Sequence, residues 1–206
     1  MSTAEHSGPS KLEVIAAAMD ERGILRTKEI VSLGISREYV RKLASRGVIE
    51  RVQHGIYQLP HANISVAHSI AVTGKRSPDG VICLLSALRL HGVTTQSPFE
   101  VWIAVEKGAR GPKMTDLSIR IIRLSGVSFS MGIETREIEG VKVRVYSLAK
   151  TIADCFKFRN KIGLDVALEA LRECIRGKLT SVDDIWKYAK ICRVSNVIRP
   201  YLEAIQ

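Results

Sequence analysis

Arg37, Arg41 and Ser45 recur at intervals of four residues, with Glu38 and Lys42 beside them. On a helix that spacing lines polar groups along one stripe, the arrangement that reads base edges in a major groove. The opposite side of the same stretch is apolar, with Val40, Leu43, Ala44 and Gly47 falling at i, i+3, i+4 and i+7. A helix divided into one packing face and one donor face suits a recognition helix. It equally suits a solvated surface helix, so the neighbouring elements decide.

Those elements come in a telling order. Lys11 to Glu21 carries Leu12, Ile15, Ala16 and Met19 at the spacing of one helix face, and Gly23 stops it. Thr27 is expected to cap a short second helix through Leu33, burying Ile30 and Val31. Gly34 offers the turn, and Ser36 is placed to cap the third helix, from Arg37 to Arg46. Two extended runs follow, Val48 to Val52 and Gly55 to Leu59, with Gln53, His54 and Gly55 at the turn. Three helices and then a hairpin is the order of a winged helix, whose hairpin reaches a phosphate backbone or minor groove. The candidates for contact with double-stranded DNA are Arg37, Glu38, Arg41, Lys42 and Ser45 on the helix, and Arg51 and His54 on the wing.

The formal net charge of +10 on 206 residues favours a polyanionic partner. Residues 1–62 hold nine Lys/Arg against seven Asp/Glu, so +8 of that charge lies beyond them. The rest of the chain either helps to bind polyanion or uses its charge for something else.

Past a linker at Pro60 to Ile64, a helix is expected from Ser65 to Lys75, then a turn over Ser77, Pro78, Asp79 and Gly80. A further helix is expected from Val81 to His91, closed at Gly92, with His91 complementing the helix dipole. The period then switches. Phe99, Val101, Ile103 and Val105 alternate with Glu100, Trp102 and Ala104, the mark of a half-buried strand. Ile119 to Leu124 is a second strand, and Thr135 to Ile138 with Val141 to Tyr146 forms a hairpin turned at Glu139 and Gly140. Between the first two strands lies a loop with Lys107, Arg110 and Lys113 among Gly108, Gly111 and Pro112. It lacks the Gly-Lys-Ser/Thr ending of a phosphate-cradling loop, and reads either as a nucleic-acid backbone contact or as simply solvated. Helices from Ser147, from Leu164 to Ile175, from Ser181 and from Ser195 to Ile205 complete the chain. The class is α+β: a winged helix-turn-helix over residues 11–60, after a flexible tail over 1–10. A larger mixed α/β domain over 65–206 follows, with a small sheet and several helices.

Other classes of function find little support. Cys83, Cys155, Cys174 and Cys192 are far apart and set among apolar residues, as reduced core thiols in a cytoplasmic protein are. They offer neither a metal site nor a redox motif. No run approaches the ~20 apolar residues that span a bilayer, and the polar start of the chain reads as a tail, not a secretory signal. A nuclease would need a lysine two places after Glu100 to complement Asp79, and Trp102 occupies that place. No Gly-x-Ser-x-Gly elbow is present, so no enzyme, cofactor or catalytic residue is expected.

The chain resembles the AbiEi-type antitoxins of bacterial type IV toxin–antitoxin (abortive infection) systems. The matching stretches are the helix-turn-helix leading into Arg51-Val-Gln-His-Gly-Ile-Tyr57 and the segment Ser86-Ala-Leu-Arg-Leu-His-Gly92. Val101-Trp-Ile-Ala-Val105 and Ser147-Leu-Ala-Lys-Thr-Ile-Ala-Asp154 complete them. The resemblance implies a repressor that binds inverted repeats at its own promoter, two copies to a site. It also implies functional antagonism of a nucleotidyltransferase-like toxin without a stable complex. It places basic DNA contacts at Arg37, Arg41, Lys42 and Arg51. In the antitoxin domain Lys107, Arg110, Lys113, Thr151 and Asp154 are the candidates, although a buried hydrogen-bonded pair explains Thr151 and Asp154 equally well. The competing reading is a metabolite-responsive winged-helix regulator whose C-terminal domain holds a small ligand.

Overall fold

The computed structural model describes residues 9–60, 67–112, 114 and 117–205. The Met1 to Gly8 tail, most of the expected linker, the expected helix start at Ser65, and Lys113 lie outside the described residues. The chain divides into two compact units, Met1–Lys75 with Glu137–Val141, and Arg76–Arg136 with Lys142–Gln206. Residues 67–75, expected in the second domain, therefore group with the first.

The first unit runs α1 (Lys11–Arg22), β1 (Leu25–Arg26), α2 (Thr27–Ser32), α3 (Arg37–Ser45), β2 (Glu50–Gln53), β3 (Ile56–Gln58) and α4 (His68–Arg76), whose last residue, Arg76, begins the second unit. Its sheet has the order β1-β3-β2, antiparallel throughout. Helix-strand-helix-helix-strand-strand with that order is a winged helix. The α1 N-terminus is fixed by Ser10, whose hydroxyl accepts from the Glu13 amide while the Glu13 carboxylate accepts from the Ser10 amide. This reciprocal cap takes Ser10 out of the expected tail. The buried stripe of α1 is Ile15, Ala18 and Met19, and Leu12 faces outward at 38% exposure. Ile30 of α2 is fully buried, but Val31 next to it is not. Arg26, not Thr27, is the α2 N-cap, with its amide donating 2.7 Å to the Glu29 carboxylate. Thr27 is freed for another bond, described below.

The core of this unit joins Ile15, Leu25, Ile30, Ile35, Val40, Leu43, Ile49 and Tyr57. At about 1.5–3 kcal/mol for a fully buried Val, Leu or Ile side chain, this cluster and not helix propensity holds the six-residue α2 in place.

The second unit holds β4 (Val81–Ile82), α5 (Leu84–His91), β5 (Val101–Glu106), β6 (Ile119–Leu124), α6 (Val127–Ser130), β7 (Ile133–Ile138) and β8 (Val141–Tyr146). Then follow α7 (Leu148–Lys157), α8 (Arg159–Ile162), α9 (Leu164–Arg176), α10 (Val182–Ile191) and α11 (Ser195–Ile205). The five-stranded mixed sheet has the order β6-β5-β4-β8-β7. β5 and β6 run parallel from Val101↔Ile119 to Glu106↔Leu124, and β4 joins β5 antiparallel and β8 parallel.

Two expectations fail here. Val81 and Ile82 are a strand and not the first turn of a helix, so the helix begins only at Leu84. β5 is buried on both faces from Val101 to Val105, while Phe99 lies outside it and is 87% exposed. The alternation of polar and apolar letters arose because Glu100 precedes the strand and Trp102 and Ala104 are themselves core residues.

α7 is the centre of this unit. It contacts α5, α8, α9, α10 and α11, and every residue from Leu148 to Phe156 is buried. A helix enclosed on all sides must satisfy its polar side chains internally. Lys150 Nζ lies 2.5 Å from Asp154 Oδ2 and 4.2 Å from the Tyr146 ring centroid. The Cys192 thiol donates to Asp154 Oδ1 at 3.2 Å, and the Thr151 hydroxyl donates to the Tyr146 carbonyl at the same distance. Burial pushes the Asp154 carboxyl up, opposed by the Lys150 ammonium and the bonds from Lys150 and Cys192. The four cysteines are free and buried.

Candidate nucleic-acid interface

The residues expected to meet DNA are carried by α3 and the β2–β3 wing. Ser36 caps α3 by accepting from the Tyr39 amide at 3.2 Å, a contribution of about 1 kcal/mol. The preceding turn passes through Gly34 at φ +80°, a left-handed conformation in which a Cβ is strained. Val40 and Leu43 then anchor one side of α3 in the core, and Arg37, Glu38, Arg41, Lys42 and Ser45 are all exposed on it. Among the described residues none of the four charged side chains on this face is in an ion pair. The Ser45 hydroxyl donates to the Lys42 carbonyl at 3.0 Å, which leaves its oxygen free to accept from outside. A stripe of cations and one carboxylate, held on a packed helix, has the donors and the acceptor needed for base edges and phosphates.

The wing contains a feature the sequence does not signal. Glu50 and Arg51 pair with Gln58 and Tyr57, but Gln53 pairs with Ile56, so the register shifts by one residue at Val52. In a regular strand, residues three apart point to opposite faces. The bulge brings Arg51 and His54 to the same exposed side, where Arg51 Nη2 donates to His54 Nδ1 at 2.6 Å. It also turns Gln53 inward, to 4% exposure. Thr27, displaced from its expected capping role, holds the wing's turn: its amide and hydroxyl both donate to the Gly55 carbonyl, at 2.9 and 3.3 Å. Gly55 itself takes φ +73°.

The candidates in the second unit separate. Lys107 and Arg110 are exposed in the loop after β5, which Arg123 fastens by donating to the Ala109 carbonyl at 2.8 Å. Thr151 and Asp154, at 0% and 1% exposure, are core residues with partners inside the fold. Their hydrogen bonds are those of a buried network, with Lys150 rather than Thr151 opposite Asp154. Glu100, considered above as a nuclease carboxylate, is bound to Arg120 at 2.6 Å.

His91 also differs from expectation. Arg136 donates from Nη2 to His91 Nδ1 and from Nη1 to the Leu90 carbonyl, both at 2.8 Å, and His91 Nε2 lies 2.8 Å from the Tyr146 carbonyl. The imidazole therefore accepts at Nδ1 and donates at Nε2, which makes it neutral. Arg136, which donates to the Leu90 carbonyl, and Arg89 of the last turn are the cations at the α5 C-terminus, and His91 is not one. Burial lowers the His91 pKa from 6.5, and Arg136 lowers it further, against the bond to Tyr146. The folded state thus binds less proton than the unfolded chain just below pH 6.5. The stabilisation is complete above that pH and is lost as pH falls toward the lower folded value. His91→Gln, which keeps an acceptor and a donor without a charge, is expected to lose less melting temperature between pH 7.5 and 5.5 than the wild type. Equal losses in parallel scans would contradict this assignment.

The fold and this exposed face define the first unit as a winged helix-turn-helix of the DNA-binding class. Residues 13–60, which span nearly all of α1 to β3, match the family model described as a transcriptional regulator, AbiEi antitoxin. Among solved structures, the RV2827C protein from Mycobacterium tuberculosis is similar in fold, with a TM-score of 0.61 at 10% identity, covering 88% of this chain and 72% of that one. A search of curated proteins finds no match. Among the described residues no helix is long and apolar enough to cross a membrane.

Proposed function

We propose that this chain is a DNA-binding autorepressor and the antitoxin of a type IV toxin–antitoxin system. In this reading the winged helix inserts α3 in the major groove of an inverted repeat at the chain's own promoter, with one copy on each half-site. The second unit antagonises a nucleotidyltransferase-like toxin without forming a stable complex with it. The observation that carries the reading is the exposed Arg37–Arg41–Lys42 face on a core-anchored α3, within the span that matches the regulator and antitoxin family model. A reporter fused to the upstream region of the gene tests the repressor half, and co-expression with the toxin gene beside it tests the other. Repression and growth rescue are expected. A reporter indifferent to the protein, or a toxin unaffected by it, would remove the corresponding half.

The wing's part is separable. Arg51→Ala is expected to reduce the slope of log affinity against log salt by about one unit, with little change in preference between sequences. An unchanged slope would exclude Arg51 from the phosphate backbone.

A further inference from the structure

We propose that a cleft in the second unit binds a phosphorylated nucleoside, a role separate from reading DNA. The cleft encloses about 620 Å³, within the ~300–1,000 Å³ common to small-molecule sites. Three arginines from separate elements line it: Arg76 at the end of α4, Arg110 in the loop after β5, and Arg144 on β8. Two of them are positioned. Arg144 donates from Nη1 to the Asp79 carbonyl at 2.9 Å, and the loop bearing Arg110 is fastened by Arg123. Among the described residues neither Arg110 nor Arg144 has a carboxylate at ion-pair distance. Arg110 and Arg144, held in a concavity and in no ion pair among the described residues, suit the forked oxygens of a phosphate.

Phosphate alone does not account for the rest of the lining. Asp79 and Glu106 face the same cleft, also outside any described ion pair, and would repel a bare anion. Carboxylates accept from ribose hydroxyls in dinucleotide sites, and they fit that part here. Phe129 adds a partly buried aromatic ring, suited to the face of a base. Cations, carboxylates and a ring together match the three parts of a nucleotide, and no simpler anion uses all three.

The test is calorimetric titration of the full chain, without DNA, with the four ribonucleoside triphosphates, the corresponding nucleosides, and inorganic pyrophosphate. At least one nucleotide is expected to bind one per chain, with its nucleoside and pyrophosphate each weaker by about ten-fold or more. Arg110 and Glu106 are exposed, so R110Q and E106Q leave the core intact. R110Q is expected to weaken both nucleotide and pyrophosphate by about ten-fold, or roughly 1.4 kcal/mol. E106Q is expected to weaken the nucleotide but not pyrophosphate. The proposal is overturned if no nucleotide binds, if pyrophosphate binds as well as the best nucleotide, or if both variants bind like the wild type. Because no DNA is present, any of these results leaves the repressor reading where it stood.

Discussion

Lys150→Met is expected to destabilise the chain by about 3–5 kcal/mol, the range for removing one partner of a buried ion pair. Lys150 and Asp154 are 0% and 1% exposed, 2.5 Å apart, in the middle of a helix buried along nine consecutive residues. Without the ammonium, Asp154 keeps only the Cys192 thiol as a hydrogen-bond partner among the described residues, and its carboxyl, already raised by burial, rises further. The deficit should therefore be largest at neutral pH, where the carboxylate has to be charged in the core. It should shrink as the pH falls and Asp154 takes up a proton, because the neutral acid tolerates the apolar site. The double variant K150M/D154L removes both charges and is expected to recover most of the loss, since packed apolar side chains replace such pairs at little cost. Urea unfolding of the wild type and both variants at pH 7 and pH 5 measures this. A double variant no more stable than Lys150→Met would mean that the pair contributes net stability of its own.

Arg41→Ala should cost about 1–3 kcal/mol of binding to the operator, roughly a five- to 150-fold loss, if its guanidinium reads a base edge. Arg41 is exposed on α3 one turn beyond Arg37, over a backbone fixed by the Ser36 cap and by Val40 and Leu43 beneath. That rigidity matters, since a side chain reads a base only when its helix is held in place. The loss should be much smaller on scrambled DNA of the same length. Equal losses on both would assign Arg41 to the phosphates. No accompanying change in melting temperature is expected, because the side chain has no ion pair among the described residues.

Local chemistry was legible wherever it decides the structure. Ser36 and Ser147 cap helices as their positions before apolar-periodic runs imply, and Ile119–Leu124 and Val141–Tyr146 are strands with the expected bounds. The stripe on α3 follows from its period alone. What stayed hidden depends on partners distant in sequence. Val81–Ile82 is a strand only because Ala104, Ile103 and Val145 lie alongside it, and taken by themselves those two residues suit a buried helix equally well. Lys150 is of a type that lies outside in most helices. Its position four residues before Asp154, amid Leu148, Ile152 and Phe156, was the one available sign of an internal pair. The wing bulge leaves no mark in the letters, yet it sets Arg51 beside His54. His91 looked like a dipole-complementing cation until Arg136, forty-five residues later, took that place.

The most direct test of the central claim is titration of the purified chain onto DNA from upstream of its own gene, against scrambled DNA of equal length, across a salt series. Tight, two-step binding that prefers the upstream sequence at every salt concentration is the predicted result, one step for each half-site. Binding that ignores sequence and disappears as salt rises would contradict it, and would reduce the exposed face of α3 to a solvated helix surface.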